Sequence, residues 1–413
     1  MQVQGNLIRA EGEAPMAALC NLVSHIRRKI LKLYREKLCH SAVFVNAAFF
    51  WKCRILSFLK YGRSARPCMP GWQKQNRDSE RRMFRLALIA DEMTCQSFDG
   101  ICEIVCLSPQ QWSRQLERFR PDLLLCESAW SGSDAQNGCW RWKIYGNDKL
   151  WFENRRELKD ILAYCRKAGV PTAFWNKEDP AYFGDPNHDF VGTAVWFDHV
   201  FTTAAECECG YRKKGCRDVH TLMFGYSPAM FYPLEGRFDS GRAVFFGSWY
   251  DDHPQRCKDM ERAFDTVLQM GMRLEIYDRY HGHGSEGRCF PEKYRPYVHG
   301  GVPYSAIRST IGTPCFAINI NTVTDSETMF ARRVFELMAC GCVILSNESR
   351  GMRRMFGDKV WFLGDACPVE RLDAIRQETA RLVAQEHTWT SRWRYLAETI
   401  ETKGDTEQRE ETK

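Results

Sequence analysis

The sequence predicts an α/β protein built from two consecutive doubly wound parallel sheets that face a cleft, preceded by a basic helical extension. Three observations carry this. The chain has 413 residues, enough for two domains of ordinary size and more. From about residue 84, short runs apolar throughout alternate with helical stretches, the pattern of strands buried on both faces. After a link punctuated by Pro228 and Pro233, the pattern begins again.

The strand candidates of the first half are Phe84–Ala90, Ile101–Leu107, Asp122–Cys126, Pro171–Trp175 and His199–Thr202. A helix over Asn154–Ala168 has Leu158, Ile161, Leu162 and Cys165 at helical spacing, and Gly169 and Pro171 stop it. In the second half, Arg242–Phe246, Leu274–Tyr277, Cys315–Ile320, Cys342–Ser346 and Val360–Leu363 read as strands. Helices are expected over Pro254–Met270, near Met329–Ala339, and over Val369–Gln385 and Thr388–Ile400. The polar tail from Glu401 reads as disordered. The expected domains are 1–80, 81–235, 236–386 and 387–413.

Composition narrows the function. With 44% apolar and 27% charged residues the chain is globular. No apolar run reaches the roughly 18–20 residues of a membrane span, and the first residues lack the pattern of a secretory signal, so a cytoplasmic location is expected. Residues 1–82 hold 16 Lys/Arg against 5 Asp/Glu, a balance of +11; the whole chain is +6, leaving −5 for the remainder. The main body therefore implies no large cationic surface for nucleic acid. The 19 cysteines are scattered without a Cys-x-x-Cys pair. Cys207, Cys209, Cys216 and His220 approach zinc spacing, but such cysteines commonly serve as small buried hydrophobes, and no metal is expected.

Ligands of doubly wound sheets bind beyond the carboxyl ends of the strands. Polar residues concentrate there: Glu127 to Gly132, Asn176 to Pro180, Gly247-Ser248-Trp249, His281 and His283, Asn319-Ile-Asn321, and the run Asp325–Gly341. In that run Arg332 and Glu336 stand at i,i+4, and Arg333 three before Glu336. They offer cations for a phosphate and a carboxylate for a ribose diol; the competing reading is an exposed helical ion pair. Asp251-Asp252 reads as a helix-start cap. Glu178 and Asp179, on a turn before Pro180, are candidates to take a proton from an acceptor hydroxyl, with turn capping as the alternative for Asp179. Trp130 and Trp175 are candidate stacking surfaces for a sugar ring, or core residues.

Arg333-Val-Phe-Glu336-Leu-Met-Ala-Cys-Gly341 with Cys342-Val-Ile-Leu-Ser-Asn347 resembles the donor motif of GT-B glycosyltransferases, closest to the branch of spore-maturation CgeB-like proteins and transferases of teichoic-acid and capsule clusters. Glu127-Ser-Ala-Trp130, Phe174 to Pro180, Phe197 to Thr203, Phe246-Gly-Ser-Trp-Tyr250, Ile318 to Asn321 and His387 to Arg392 extend the resemblance over residues 84–395. The resemblance implies a retaining, metal-independent transferase that uses a nucleotide sugar as co-substrate and needs no cofactor. Glu336 then meets the ribose, Arg256 and Arg333 meet the diphosphate, and Gly247, Ser248, Asn319, Asn321 and Arg332 surround the donor; Glu127, Trp130 and Trp175 fall on the acceptor side. Relatives usually carry a second Glu eight residues before the ribose carboxylate; here that position is Thr328, with Glu327 beside it as the nearest substitute. The expected acceptor is a glycan, glycolipid or cell-surface polymer precursor. A non-catalytic nucleotide-binding relative and a GT-B epimerase or phosphorylase are the alternatives. The basic extension has apolar stripes, Leu22–Leu38 and Phe44–Leu59, suited either to an anionic membrane surface on the cytoplasmic side or to packing on the first domain.

Overall fold

The computed structural model describes residues 42–51, 83–134, 138–282 and 287–411. The Leu22–Leu38 stripe, most of the second stripe, and His283 lie outside these. The chain divides into two compact units. The smaller comprises, among described residues, the helix Ala42–Phe49 and the segment 147–154. There Asn46 donates to the Lys149 carbonyl at 2.7 Å and accepts from the Trp151 amide at 2.8 Å, while Phe49 meets Phe152 at 5.3 Å between ring centres. Val43, Phe50 and Trp51 remain exposed.

The larger unit contains two six-stranded sheets, every pairing parallel. The first has the order β2-β1-β3-β4-β5-β6, from β1 (Arg85–Ile89), β2 (Glu103–Cys106), β3 (Leu123–Glu127), β4 (Thr172–Asn176), β5 (His199–Thr202) and β6 (Val219–Thr221). The second has the order β12-β11-β10-β7-β8-β9, from β7 (Asp239–Phe246), β8 (Arg273–Asp278), β9 (Val298–Gly300), β10 (Cys315–Asn319), β11 (Val343–Ser346) and β12 (Trp361–Phe362). The doubly wound expectation is met. Successive side chains of a strand point to opposite faces, and here both faces are covered. In β1, Ala87 and Ile89 join one core while Leu86 and Leu88 join another. In β10, Cys315 and Ala317 pack on one side, Phe316 and Ile318 on the other.

The two strands absent from the sequence expectation, β6 and β9, are three-residue edge strands. The helix expected near Met329 begins only at Arg333, because the residues before it are drawn toward the first sheet. Thr328 Oγ accepts from the Ala205 amide at 2.9 Å and donates to the Thr203 carbonyl at 2.8 Å, and Met329 packs against the core of the first sheet.

The chain finally returns to the first sheet. Helix Trp389–Glu411 places Trp389 and Leu396 in the core beneath β1 and β4, with Trp393 edge-on to Phe84 at 4.9 Å. Arg392 ties its start by donating to the Phe224 carbonyl and to His387 Nδ1. This helix runs through residues expected to be disordered. Its later residues are mostly Glu, Gln, Arg and Thr, largely good helix formers that extend a helix already nucleated by packing.

Candidate functional site

The carboxyl end of the second sheet gathers three arginines. Arg256 rises from the first turn of helix Pro254–Gln269, donates to the Ser248 carbonyl at 3.0 Å and lies over the Tyr250 ring. Arg279 follows β8 directly and donates to the Tyr250 hydroxyl at 2.5 Å. Arg333 opens helix Arg333–Ala339 and lines a cleft of about 320 Å³ with Arg256, Tyr250, His253, Asn319 and Asn321. Burial pushes the Arg333 guanidinium down to about 10, and Arg332 and Arg279 push the same way. Burial also lowers Arg256, with Arg279 adding repulsion. The cluster is thus a set of cations held in one another's field.

Buried polar atoms nearly always have partners, because an unmade hydrogen bond costs about 1–3 kcal/mol. Here Arg333 Nε, Ser248 Oγ and Glu336 Oε2 are buried without one. Glu336 is fully buried; its Oε1 accepts from the Tyr304 hydroxyl at 2.8 Å and pairs with Arg332 at 3.2 Å. Arg332 is not the solvated surface partner of the simpler sequence reading: it is largely covered and lies over the Tyr304 ring. Gly247 is required sterically, since a Cβ there would stand 2.6 Å from the Phe245 ring.

Other expected donor residues have different work. Asn319 donates to Ser346 Oγ, and Asn321 accepts from the Ala331 amide on its side chain and donates its backbone amide to Asn347 Oδ1. They line the cleft, but their side chains set the loop that delivers Arg333. Glu327 does not substitute for the missing glutamate: Arg350 at 2.6 Å and Arg354 at 2.8 Å engage its carboxylate. Thr328 is occupied by its bonds to residues 203 and 205. Asp251 and Asp252 do not cap the helix. Asp251 receives the Trp249 indole and Asp252 pairs with Arg288 at 3.3 Å, while the capping position is His253.

The first sheet's carboxyl end is organised by a buried ion cluster. Lys177 Nζ lies 2.8 Å from both Asp91 and Glu127. Asp91 also takes the amides of Trp130, Ser131 and Gly132. Glu127 takes the Asp91 amide and the Thr94 hydroxyl, both at 2.6 Å. Glu127 is therefore a fully buried tie between strand ends and not an acceptor contact. Asp179 must be corrected likewise. It is fully buried, and Asn176, Thr202 and Tyr211 donate to its two oxygens; burial pushes its carboxyl up to about 7. Trp175 is a core residue, its indole donating to the Leu222 carbonyl and its ring edge-on to Trp389.

Glu178 and Trp130 stand beside each other at the first sheet's carboxyl end. Both are only partly buried. Burial raises the Glu178 carboxyl above its ordinary range, and the Trp130 indole hydrogen-bonds it. Trp130 is seated among Tyr145, Tyr182, His188 and Phe190 at 5.2–5.6 Å. Tyr182 lies within the field of Glu178 on one side and of Asp252 and Arg288 on the other, so this platform looks toward the second sheet. The zinc quartet does not converge: Cys207 and Cys216 are buried, Cys209 is exposed, and His220 pairs with Asp218. Among the described residues no group of three metal-ligating side chains forms. Arg279 and Lys177, absent from the candidate residues of the sequence, each stand one polar residue beyond an apolar run, after Asp278 and Asn176.

Residues 261–398 match the family model described as Glycosyl transferase-like. No curated protein matches the chain. Among solved structures, Anabaena HepE in complex with UDP-glucose is 11% identical, spans 78% of this chain and all of its own, and superposes with a TM-score of 0.49. Sucrose-phosphate synthase from Thermosynechococcus elongatus gives 12% identity, 78% and 100% coverage and 0.45. A glycosyltransferase from Rickettsia africae gives 9%, 78% and 98% coverage and 0.46. The two parallel six-stranded sheets are the doubly wound pair that the sequence predicts.

Removing the buried cation should expose the role of the ion cluster. Lys177→Met leaves Asp91 and Glu127 facing each other, and the protein should lose about 3–5 kcal/mol of stability in urea denaturation. A loss below about 1 kcal/mol would show that the cluster does not hold the strand ends.

Proposed function

We propose that the protein is a glycosyltransferase that moves a sugar from a nucleotide-sugar donor to a hydroxyl of a glycan, glycolipid or surface-polymer precursor. The observation that carries this is the coincidence of three clustered arginines with buried, unpartnered Arg333 Nε, Ser248 Oγ and Glu336 Oε2. The family match over residues 261–398 covers most of these positions. In this reading Glu336 Oε2 accepts from the ribose diol, and Arg256, Arg279, Arg333 and Ser248 receive the diphosphate.

The bond from the anomeric carbon to the phosphate oxygen breaks, leaving charge on the nucleoside diphosphate. Fixed guanidinium groups stabilise that charge in the transition state more than in the donor. The acceptor oxygen bonds to the anomeric carbon, and Glu178, whose carboxyl burial raises above its ordinary range, takes the hydroxyl proton. Retention of configuration and independence of metal, both implied by the resemblance, belong to this proposal. No carboxylate stands at position 328, so the donor sugar must be read by other groups than in relatives with two glutamates.

A panel of nucleotide sugars should reveal one donor that is slowly hydrolysed to its nucleoside diphosphate. With that donor, Arg333→Ala and Glu336→Ala should each weaken binding at least tenfold with unchanged circular dichroism. Glu178→Gln should bind normally and turn over about 10²–10⁴-fold more slowly, and a chelator should alter turnover less than about twofold. Wild-type binding by both donor-site variants would dismiss the site.

We also propose that the N-terminal extension rests on an anionic membrane surface, bringing the enzyme to a lipid-linked acceptor. Its support is the +11 balance of residues 1–82 together with exposed Val43, Phe50 and Trp51. Each basic residue near such a surface contributes about 1 kcal/mol. Full-length protein should sediment with phosphatidylserine-containing vesicles and be released by high salt, whereas a chain lacking residues 1–80 should stay in solution. Sedimentation of the shortened chain, or none of the full one, would refute this.

A further inference from the structure

We propose that Cys95 and Cys106 form a dithiol–disulfide site on the first sheet, closed by a peroxide and reopened by a thiol reductant. Their sulfurs are hydrogen-bonded at 2.9 Å. A disulfide is about 2.05 Å long, so bond formation needs the sulfurs to approach by less than about 1 Å. The partners come from different elements: Cys106 ends β2, and Cys95 lies in the helix Glu92–Ser97. They stand eleven positions apart along the chain.

The pair also has the asymmetry that such chemistry requires. Cys95 is buried and Cys106 is half-buried, so one sulfur is reachable by a small oxidant and the other waits behind it. The first thiolate to form is stabilised by the remaining proton between the two sulfurs. Cys106 is the sulfur that carries it, lowered first by Cys95 and further by Ser133. Neighbouring thiols lack this combination. Cys102 is buried, and burial pushes its thiol up to about 12. Cys315 and Cys342 also touch, but both are wholly buried between β10 and β11.

The reaction balances with hydrogen peroxide as the oxidant. The Cys106 thiolate attacks one peroxide oxygen, the O–O bond breaks, and the sulfenic acid and, after protonation, water result. Cys95 sulfur then attacks the sulfenic sulfur, giving the disulfide and a second water. Two thiols and one peroxide thus become one disulfide and two waters. Closure would fasten the start of a helix that carries Thr94, a donor to Glu127, and that follows Asp91, a partner of Lys177. The site therefore adjoins the buried ion cluster without using any of its residues.

The test uses the reduced full-length protein treated with stoichiometric hydrogen peroxide, alkylated, and digested with a protease that cuts after glutamate. Cuts at Glu92, Glu103 and Glu117 separate a fragment with Cys95 and Cys102 from one with Cys106. Mass spectrometry should find the two fragments joined and two hydrogens lighter than their sum, and dithiothreitol should separate them. The joined species should persist in Cys102→Ser and vanish in both Cys95→Ser and Cys106→Ser. Recovery of Cys106 alkylated, or oxidised to sulfinic acid without a cross-link, would overturn the proposal. So would a cross-link that survives in Cys95→Ser.

Discussion

Arg256, Arg279 and Arg333 converge on the carboxyl edge of the second sheet, where burial strips water from Arg256 and Arg333 and Arg279 repels both, and much of the neighbouring structure can be understood from that crowding. Like charges a few ångströms apart repel by several kcal/mol where water is scarce. The fold tolerates the repulsion because each guanidinium is fixed by its own element: Arg256 by the Ser248 carbonyl, Arg279 by the Tyr250 hydroxyl, Arg333 by its helix. The nearest carboxylate, Glu336, spends one oxygen on Tyr304 and Arg332 and leaves the other empty-handed. An anion with a hydroxyl-bearing neighbour would resolve both deficits together, which is the chemistry of a nucleoside diphosphate.

The first sheet solves the opposite problem. Its strand ends carry carboxylates, and one buried lysine collects two of them. Asp179, a third carboxylate, is satisfied by an amide and two hydroxyls and needs no cation. These ties leave Glu178 as the carboxylate of that turn not consumed by the framework, beside Trp130, which is neither sealed in the core nor fully exposed. Thr328 then links the two edges, since its hydroxyl bonds to backbone at residues 203 and 205.

The sequence disclosed the long elements because their apolar runs are buried on both faces: β5 appears over the residues expected, and β1, β4 and β10 within a residue or two. The edge strands β6 and β9 were invisible, being three residues long and polar in part. The site was legible as a region more than as residues. Position at or just beyond a strand's end marks Glu127, Asp179 and Trp175 as strongly as Glu178, yet the first three are consumed in joining strand to strand. No local pattern separates a carboxylate that ties from one that waits, because the difference lies in partners distant in sequence, such as Lys177 with Asp91 and Tyr211 with Asp179. Arg279 was hidden for a related reason: its partners Tyr250 and Arg256 lie more than twenty residues earlier in the chain.

The most direct test of the account is equilibrium binding of nucleotides measured by calorimetry on the full-length protein. The expected result is that one nucleoside diphosphate binds saturably at a single site, and that its monophosphate binds at least tenfold more weakly, since the proposed site places three arginines on the two phosphates. Equal affinity for the two, or no binding of uridine, guanosine, adenosine, cytidine or thymidine diphosphate, would contradict it.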